Sequence, residues 1–220
     1  MPETVPKVIE LPSPCPKETE CNSFLHQLGL KITTKNRMRI LQACREARLL
    51  HVRGDKDNVY CDDPQAVVMI LLQELNIYRA DILQATFLHN ALEGDQVDYY
   101  YLKTTFGKEV ADMVGVLTVP KPRNGIGGIT IIRGLDDHTP VDTLADKIRK
   151  SSVEVMIIKL CERLRRLREL SRIFSTESSE AINEARMCYL PMIEVVRAGY
   201  PDIGEKLSNL FAEAMTNMEQ

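Results

Sequence analysis

Apolar positions recur at three- and four-residue steps along most of this chain, and hardly anywhere at two. From Lys35 the segment "KNRMRILQACREA" sets Met38, Ile40, Leu41, Cys44 and Ala47 into a helical stripe with cations between them. "GDKDNVYCDD" interrupts it as a loop. Asp63 followed by Pro64 reads as a helix N-cap with proline at the first helical position. The helix opened there places Val67, Ile70, Leu71 and Leu75 on one side. Residues Ala80 to Glu93 are apolar nearly all round, the pattern of a central buried helix. "VDYYYLKTTFG" and "KEVADMVGVLTV" predict two shorter helices separated by Gly107.

Residues 119–140 hold four of the eleven glycines and three prolines, and predict a long loop. The strongest helical repeat follows, through Val153, Ile157, Leu160, Leu164, Leu167 and Ser171. Two more helices close the chain. One contains Pro191, which should kink it; the other carries Ile203, Leu207, Leu210, Phe211 and Met215 in register. Only "GITIIRG" shows any alternation suited to a strand. The expected architecture is all-α: residues 1–20, with five of the eleven prolines, form a flexible tail, and 21–220 form one helical domain.

Composition narrows the function classes. The 220 residues are 44% hydrophobic and 27% charged with a net charge of −3, and there is no tryptophan. That balance argues against a DNA or RNA partner, which would ask for a basic excess and stacking aromatics. The longest apolar run, Ala66 to Leu72, cannot span a bilayer, and the N-terminus lacks a signal-peptide core. No membrane association is expected, and a cytoplasmic location is. The six cysteines form no CxxC pair and read as reduced structural thiols.

Polar groups in apolar surroundings are the candidate chemistry. In "FLHNALEGD", His89 and Asn90 end a buried segment, and Glu93 and Asp95 follow one turn later. Such groups need partners; Glu93 could simply hold the His89 ring. "NGIGGI" lacks the strand and helix that a phosphate loop requires. The run Arg163, Arg165, Arg166 and Arg168 points several ways on a helix, with Glu162 and Arg166 spaced as a surface pair.

Taken in order, Asp63-Pro64 with its helix, "FLHNALEGD", "FGKEVADMVGVLT" and "IIKLCERLRRLREL" resemble the hydrolase domain of the RelA/SpoT family. The small stand-alone SpoT homologues resemble it best in length. The likeness runs from about residue 38 to 215 and takes in "YLP" at Tyr189–Pro191, which resembles a Tyr-x-Pro of the family. It implies an all-α HD-domain fold and hydrolysis of the 3′-pyrophosphate of guanosine tetra- or pentaphosphate with a bound manganese ion. Such an ion makes a hydroxide-like nucleophile near neutral pH and polarises the phosphoryl oxygen. The chain ends where that family's synthetase domain would begin, so synthesis is not expected.

The family's pattern is His-Pro, then His-Asp with Glu-Asp three residues beyond, then a late Asp in "LADRLxN". Here those positions read Asp63-Pro64, His89-Asn90, Glu93-Gly94, and Glu162 with Arg166 four residues on. The resemblance therefore places a vestigial or altered metal cradle at Asp63, His89, Asn90 and Glu162. Glu93 is the acid/base candidate, with Asp95 as a stand-in for the acid lost at Gly94. "HVRGDKDNVYCDDP" resembles the family's "VRKSGEPYIxHP" with one residue inserted, which makes Arg53 the guanine-stacking candidate. Lys159 and Arg166 would complete a cationic lining for substrate.

Three readings remain open. One is a degenerate hydrolase homologue with no cofactor, acting by binding a guanine nucleotide or a protein. Another is an active phosphohydrolase using manganese or magnesium in altered ligands. The third is a purely structural interaction module.

Overall fold

The computed structural model describes residues 31–54, 62–93, 96–118, 147–171 and 177–219. Among them every regular element is helical: α1 (Thr34–Gly54), α2 (Asp62–Met69), α3 (Ala80–Leu88), α4 (Tyr99–Phe106), α5 (Lys108–Leu117), α6 (Val153–Leu170), α7 (Glu177–Glu184), α8 (Leu190–Gly199) and α9 (Pro201–Glu219). A π-helical turn, Ile70–Glu74, continues α2, and another, Ala185–Tyr189, joins α7 to α8. No described helix is long and apolar enough to cross a membrane. The expected long loop, with "GITIIRG" inside it, and the tail of residues 1–20 lie outside the described residues.

Local chemistry sets the helix starts. The Thr33 hydroxyl accepts from the Asn36 N–H, the Asp98 carboxylate from the Tyr101 N–H at 2.7 Å, and the Ser152 hydroxyl from the Val155 N–H. Each satisfies an amide that a helix's first turn leaves open. Between α4 and α5 the backbone turns through φ 99° at Gly107, where a Cβ would be strained.

The core is built on α3 and α6. Every residue of α3 except Asp81 is buried, which is why its sequence shows no polar face. It packs against α1, α2, α5 and α6, while α6 also carries α7, α8 and α9. Ile157, Leu160, Leu164 and Leu167 of the predicted stripe are buried on α6, each contributing about 1.5–3 kcal/mol by leaving water. Cys44 and Cys161 are buried in this core, and burial, first among its causes, pushes the Cys161 thiol well above the ordinary range.

Three expectations are corrected in detail. The segment Ala80–Glu93 is not one helix: α3 stops at Leu88, and Ala91–Glu93 forms a separate 3₁₀ turn. The Thr118 hydroxyl donates to the carbonyl oxygens of His89 and Val114, at 2.9 and 2.8 Å, and so satisfies a carbonyl at that helix end. Pro191 does not lie inside an unbroken α-helix. The chain widens beforehand, Leu190 N–H bonding back to Ala185 O, and Pro191 then sits in the first turn of α8, where its missing N–H costs little. Met38, placed on the buried stripe of α1, is 59% exposed, and Ala43 takes its place in the core.

An ion cluster joins the start of α3 to the start of α6. Arg79 bonds Asp81 at 2.5 Å and Glu154 at 2.6 Å. Burial works against both carboxylates; at Asp81 the Arg79 guanidinium leads in outweighing it, and at Glu154 a backbone hydrogen bond does so together with Arg79 and Ser152. Both are held below their ordinary range. A depressed folded pKa gives stability that is present above the unfolded value, about 4, and lost as pH falls through the folded one. The urea midpoint is accordingly expected to drop between about pH 5 and pH 3. Arg79→Met should flatten that slope by lowering the midpoint above about pH 5 more than the midpoint near about pH 3; an unchanged slope would refute the assignment.

Candidate functional site

The elements that carry the candidate residues meet. α2 bears Asp63 near its start, α3 ends at His89, α6 carries Lys159 and Glu162, and these helices pack on one another. The backbone of Asp63 lies in the first turn of α2, as does that of Arg53 in the last turn of α1; their side chains lie outside the described residues. Asp95 lies outside them entirely.

His89 is buried, 4% exposed. Its Nδ1 stands 2.7 Å from the carbonyl oxygen of Thr86. A carbonyl only accepts, so Nδ1 carries the proton and, in the neutral ring, Nε2 keeps its lone pair. That is how a metal-binding or proton-accepting imidazole is commonly oriented. Thr86 holds the Nδ1 side of the ring. Asn90 and Glu93 are half-buried, and Glu93 closes the 3₁₀ turn by donating its N–H to Asn90 O.

Glu162 faces the same region from α6. Its carboxylate takes both its short contacts from the ammonium of Lys159, at 2.8 and 3.0 Å. Lys159 is 6% exposed and needs that partner. Burial alone would push the Glu162 carboxyl up; the charge of Lys159, then that of His89, with help from Arg163, outweighs it and holds it below the ordinary range. The influence of His89 places the ring and the carboxylate in one electrostatic neighbourhood. The surface pair expected between Glu162 and Arg166 does not form. Arg166 is 45% exposed on its side chain and bonds Glu169 at 3.2 Å, because the buried Lys159 takes Glu162.

Reading the sequence missed a second layer. Arg163 donates from Nε to the Tyr189 hydroxyl at 2.7 Å and pairs with Glu184 at 3.0 Å, its guanidinium 5.1 Å from the Tyr189 ring centre. The Tyr189 hydroxyl donates onward to Glu184 at 3.1 Å, and burial pushes that phenol far above its ordinary range. "YLP" marked Tyr189; nothing in the sequence paired it with Arg163, 26 positions away. Thr86 and Thr118, which orient the two ends of His89, carried no signal beyond standing in apolar segments.

Residues 43–199 match the family model described as HD domain. The chain belongs to the HD-domain family. One relative of this HD-domain protein is the guanosine-3′,5′-bis(diphosphate) 3′-pyrophosphohydrolase of Danio rerio. The two are 26% identical over 159 residues, which cover 70% of this chain and 79% of the relative. Among solved structures it resembles one described as a metazoan ortholog of SpoT that hydrolyzes ppGpp and plays a role in starvation responses. There the TM-score is 0.58 at 19% identity, covering 80% of this chain and 94% of the other. That likeness establishes the all-helical fold of this HD domain, and the sequence match to the Danio rerio protein carries its homology to SpoT-like ppGpp hydrolases.

Whether the present residues suit a divalent ion can be judged from their donors. His89 Nε2 and the Glu162 oxygens are two; a catalytic ion is usually held by at least three protein ligands. Among the described residues no group of three His, Cys, Asp or Glu side chains is placed to hold one. Two carboxylates of the described residues there are already paired: Glu162 is neutralised by Lys159, and Glu184 by Arg163. The described set does not fit a metal centre. It does offer a fixed imidazole lone pair beside a cation-flanked carboxylate, able to accept a proton or contact a polar ligand.

Proposed function

We propose that this HD domain is a degenerate homologue of the guanosine-3′,5′-bis(diphosphate) 3′-pyrophosphohydrolases, impaired in catalysis, that acts by binding a nucleotide or a protein. The observation that carries the reading is the internal neutralisation of Glu162. A metal site needs a carboxylate whose charge is free for the ion, and this one is taken up through both oxygens by a buried ammonium. The sequence supports it: Asn90 and Gly94 stand where the resembled pattern has acids, and Asn90 cannot supply a carboxylate's charge. In this reading Asp63, His89, Asn90 and Glu162 are the remains of a metal cradle. Glu93 and Asp95 are the remains of the acid/base pair. Arg53, Lys159 and Arg166 are the candidates for contact with an anionic nucleotide; the exposed Arg166 can turn to a ligand without breaking the core.

The Thr86 contact favours a second reading, an active manganese- or magnesium-dependent hydrolase, because it leaves His89 oriented as a ligand. One experiment divides the two. After incubation with manganese chloride and desalting, the protein should hold well under one equivalent of manganese, and His89→Ala should change nothing. Guanosine 3′,5′-bis(diphosphate) should raise the melting temperature equally with and without EDTA, since a ligand of the folded state alone must stabilise it. Stoichiometric manganese that is lost in His89→Ala, together with pyrophosphate release, would establish the active enzyme instead. A melting temperature indifferent to the nucleotide would leave protein binding.

A further inference from the structure

Two unrelated asymmetries coincide on one face of the molecule. The first is charge. Helix α1 carries six basic residues and one acidic one, net +5, whereas the rest of the chain has 22 basic and 30 acidic residues, net −8. The second is exposed apolar surface. Of the eight large hydrophobic side chains exposed among the described residues, five lie on α1 and α4: Met38, Leu49, Tyr99, Tyr100 and Tyr101. The two helices are linked where these residues stand, Tyr101 donating its hydroxyl to Glu46 at 2.9 Å and Arg39 donating to Phe106 O at 3.1 Å.

On the helical wheel of α1, Met38, Gln42 and Leu49 form the centre of the outward face, with Lys35, Arg39 and Arg45 at its margins. All six are exposed. The opposite face, Ile40, Ala43, Cys44 and Ala47, is in the core, so the outer one is not needed to hold the fold. Scattered surface hydrophobics ask for no explanation. Methionine, tyrosine and arginine gathered on one face are the composition of a protein interface.

We infer that the outer face of α1, with the adjoining tyrosines of α4, is a docking surface for an acidic amphipathic protein segment. Its apolar side chains would lie over Met38 and Leu49, and its carboxylates beside Lys35, Arg39 and Arg45. The acids within the patch select this partner over a phosphate-coated one. Glu46 and Asp112 occupy the hydroxyls of Tyr101 and Tyr99, and a dense row of phosphates, on a lipid surface or a nucleic acid, would meet them at close range. Discrete carboxylates on a helix or strand can be spaced to avoid them. This surface goes beyond the His89 region and stands or falls independently of it.

The test uses the full chain and a fluorescein-labelled peptide alternating Leu and Glu in helical register. A matched Leu/Lys peptide, phosphatidylserine vesicles and a single-stranded oligonucleotide serve as competing probes. The acidic peptide should bind and the basic one should not, with affinity falling as salt rises. Met38→Glu combined with Lys35→Glu should weaken binding about tenfold or more, the size of an interface hot spot; Met187→Glu, still more exposed but on the π-turn before α8, should not. Absence of binding, equal loss in Met187→Glu, or preference for vesicles or oligonucleotide would each overturn the assignment. So would a concentration-dependent dimer that Met38→Glu dissolves, because the occupant would then be a second copy. Circular dichroism of both variants separates a lost surface from a lost fold.

Discussion

Glu162→Ala is expected to destabilise the protein by about 3 kcal/mol, the lower end of what removing one partner of a buried ion pair costs. The reason lies in what remains. Lys159 is 8% exposed on its side chain, Glu162 23%, so the deletion leaves an ammonium in the core with its described counter-charge gone. Lys159→Met should cost much less, since the stem is already packed among apolar neighbours and the half-buried carboxylate can turn towards water. Combining Lys159→Met with Glu162→Leu should recover most of the loss, and the double-mutant cycle should return a coupling of about 2 kcal/mol. Urea denaturation of the four proteins supplies the numbers. A neutral Glu162→Ala would mean that Lys159 has another partner. The argument for a self-neutralised site, and with it the case against metal binding, would then collapse.

How legible this was in the sequence depends on the range of the interaction. The α6 stripe at Ile157, Leu160, Leu164 and Leu167 was readable because burial repeats with the helix period, and α3 because a helix buried on every side has no polar stripe. Spacing could not decide between Glu162–Arg166 and Lys159–Glu162. Both are within reach along a helix, and only tertiary packing buries one cation and exposes the other. The π-turns left no trace in periodicity either, since one inserted residue shifts the phase of every downstream position without marking where it entered. Pro191 marked that region, and the chain widens just before it. At the candidate site, polarity in an apolar segment singled out His89, and the family resemblance singled out Glu162. The carbonyl of Thr86 that sets the ring's tautomer, and the Thr118 hydroxyl that ends α3 at the histidine, are backbone contacts that no residue type announces.

Identical substitutions at two glycines are expected to act with opposite sign. Gly204 is buried in the first turn of α9, its N–H donating to Tyr200 O at 2.9 Å. A Cβ there would overlap the Cα and Cβ of Arg197 on α8 and come within 2.8 Å of its backbone nitrogen. Backbone cannot step aside as a side-chain tip can, so Gly204→Ala must push α9 off α8. We expect a cost of about 2–3 kcal/mol and a fall in melting temperature on the order of 5 °C or more. At Gly115, inside α5, a Cβ would meet nothing within 4 Å, and Gly115→Ala should stabilise by about 0.5–1 kcal/mol through helix propensity and a less disordered unfolded chain. The first substitution should also reach the candidate site. α8 and α9 both pack on α6, and the turn leading into α8 presents Tyr189 to Arg163, the residue next to Glu162. A displaced hairpin should therefore weaken the nucleotide-induced thermal shift as well as the fold, whereas Gly115→Ala should raise the melting temperature and leave that shift intact. Equal effects of the two substitutions would mean that the α8–α9 crossing is looser than the contact at Arg197 implies.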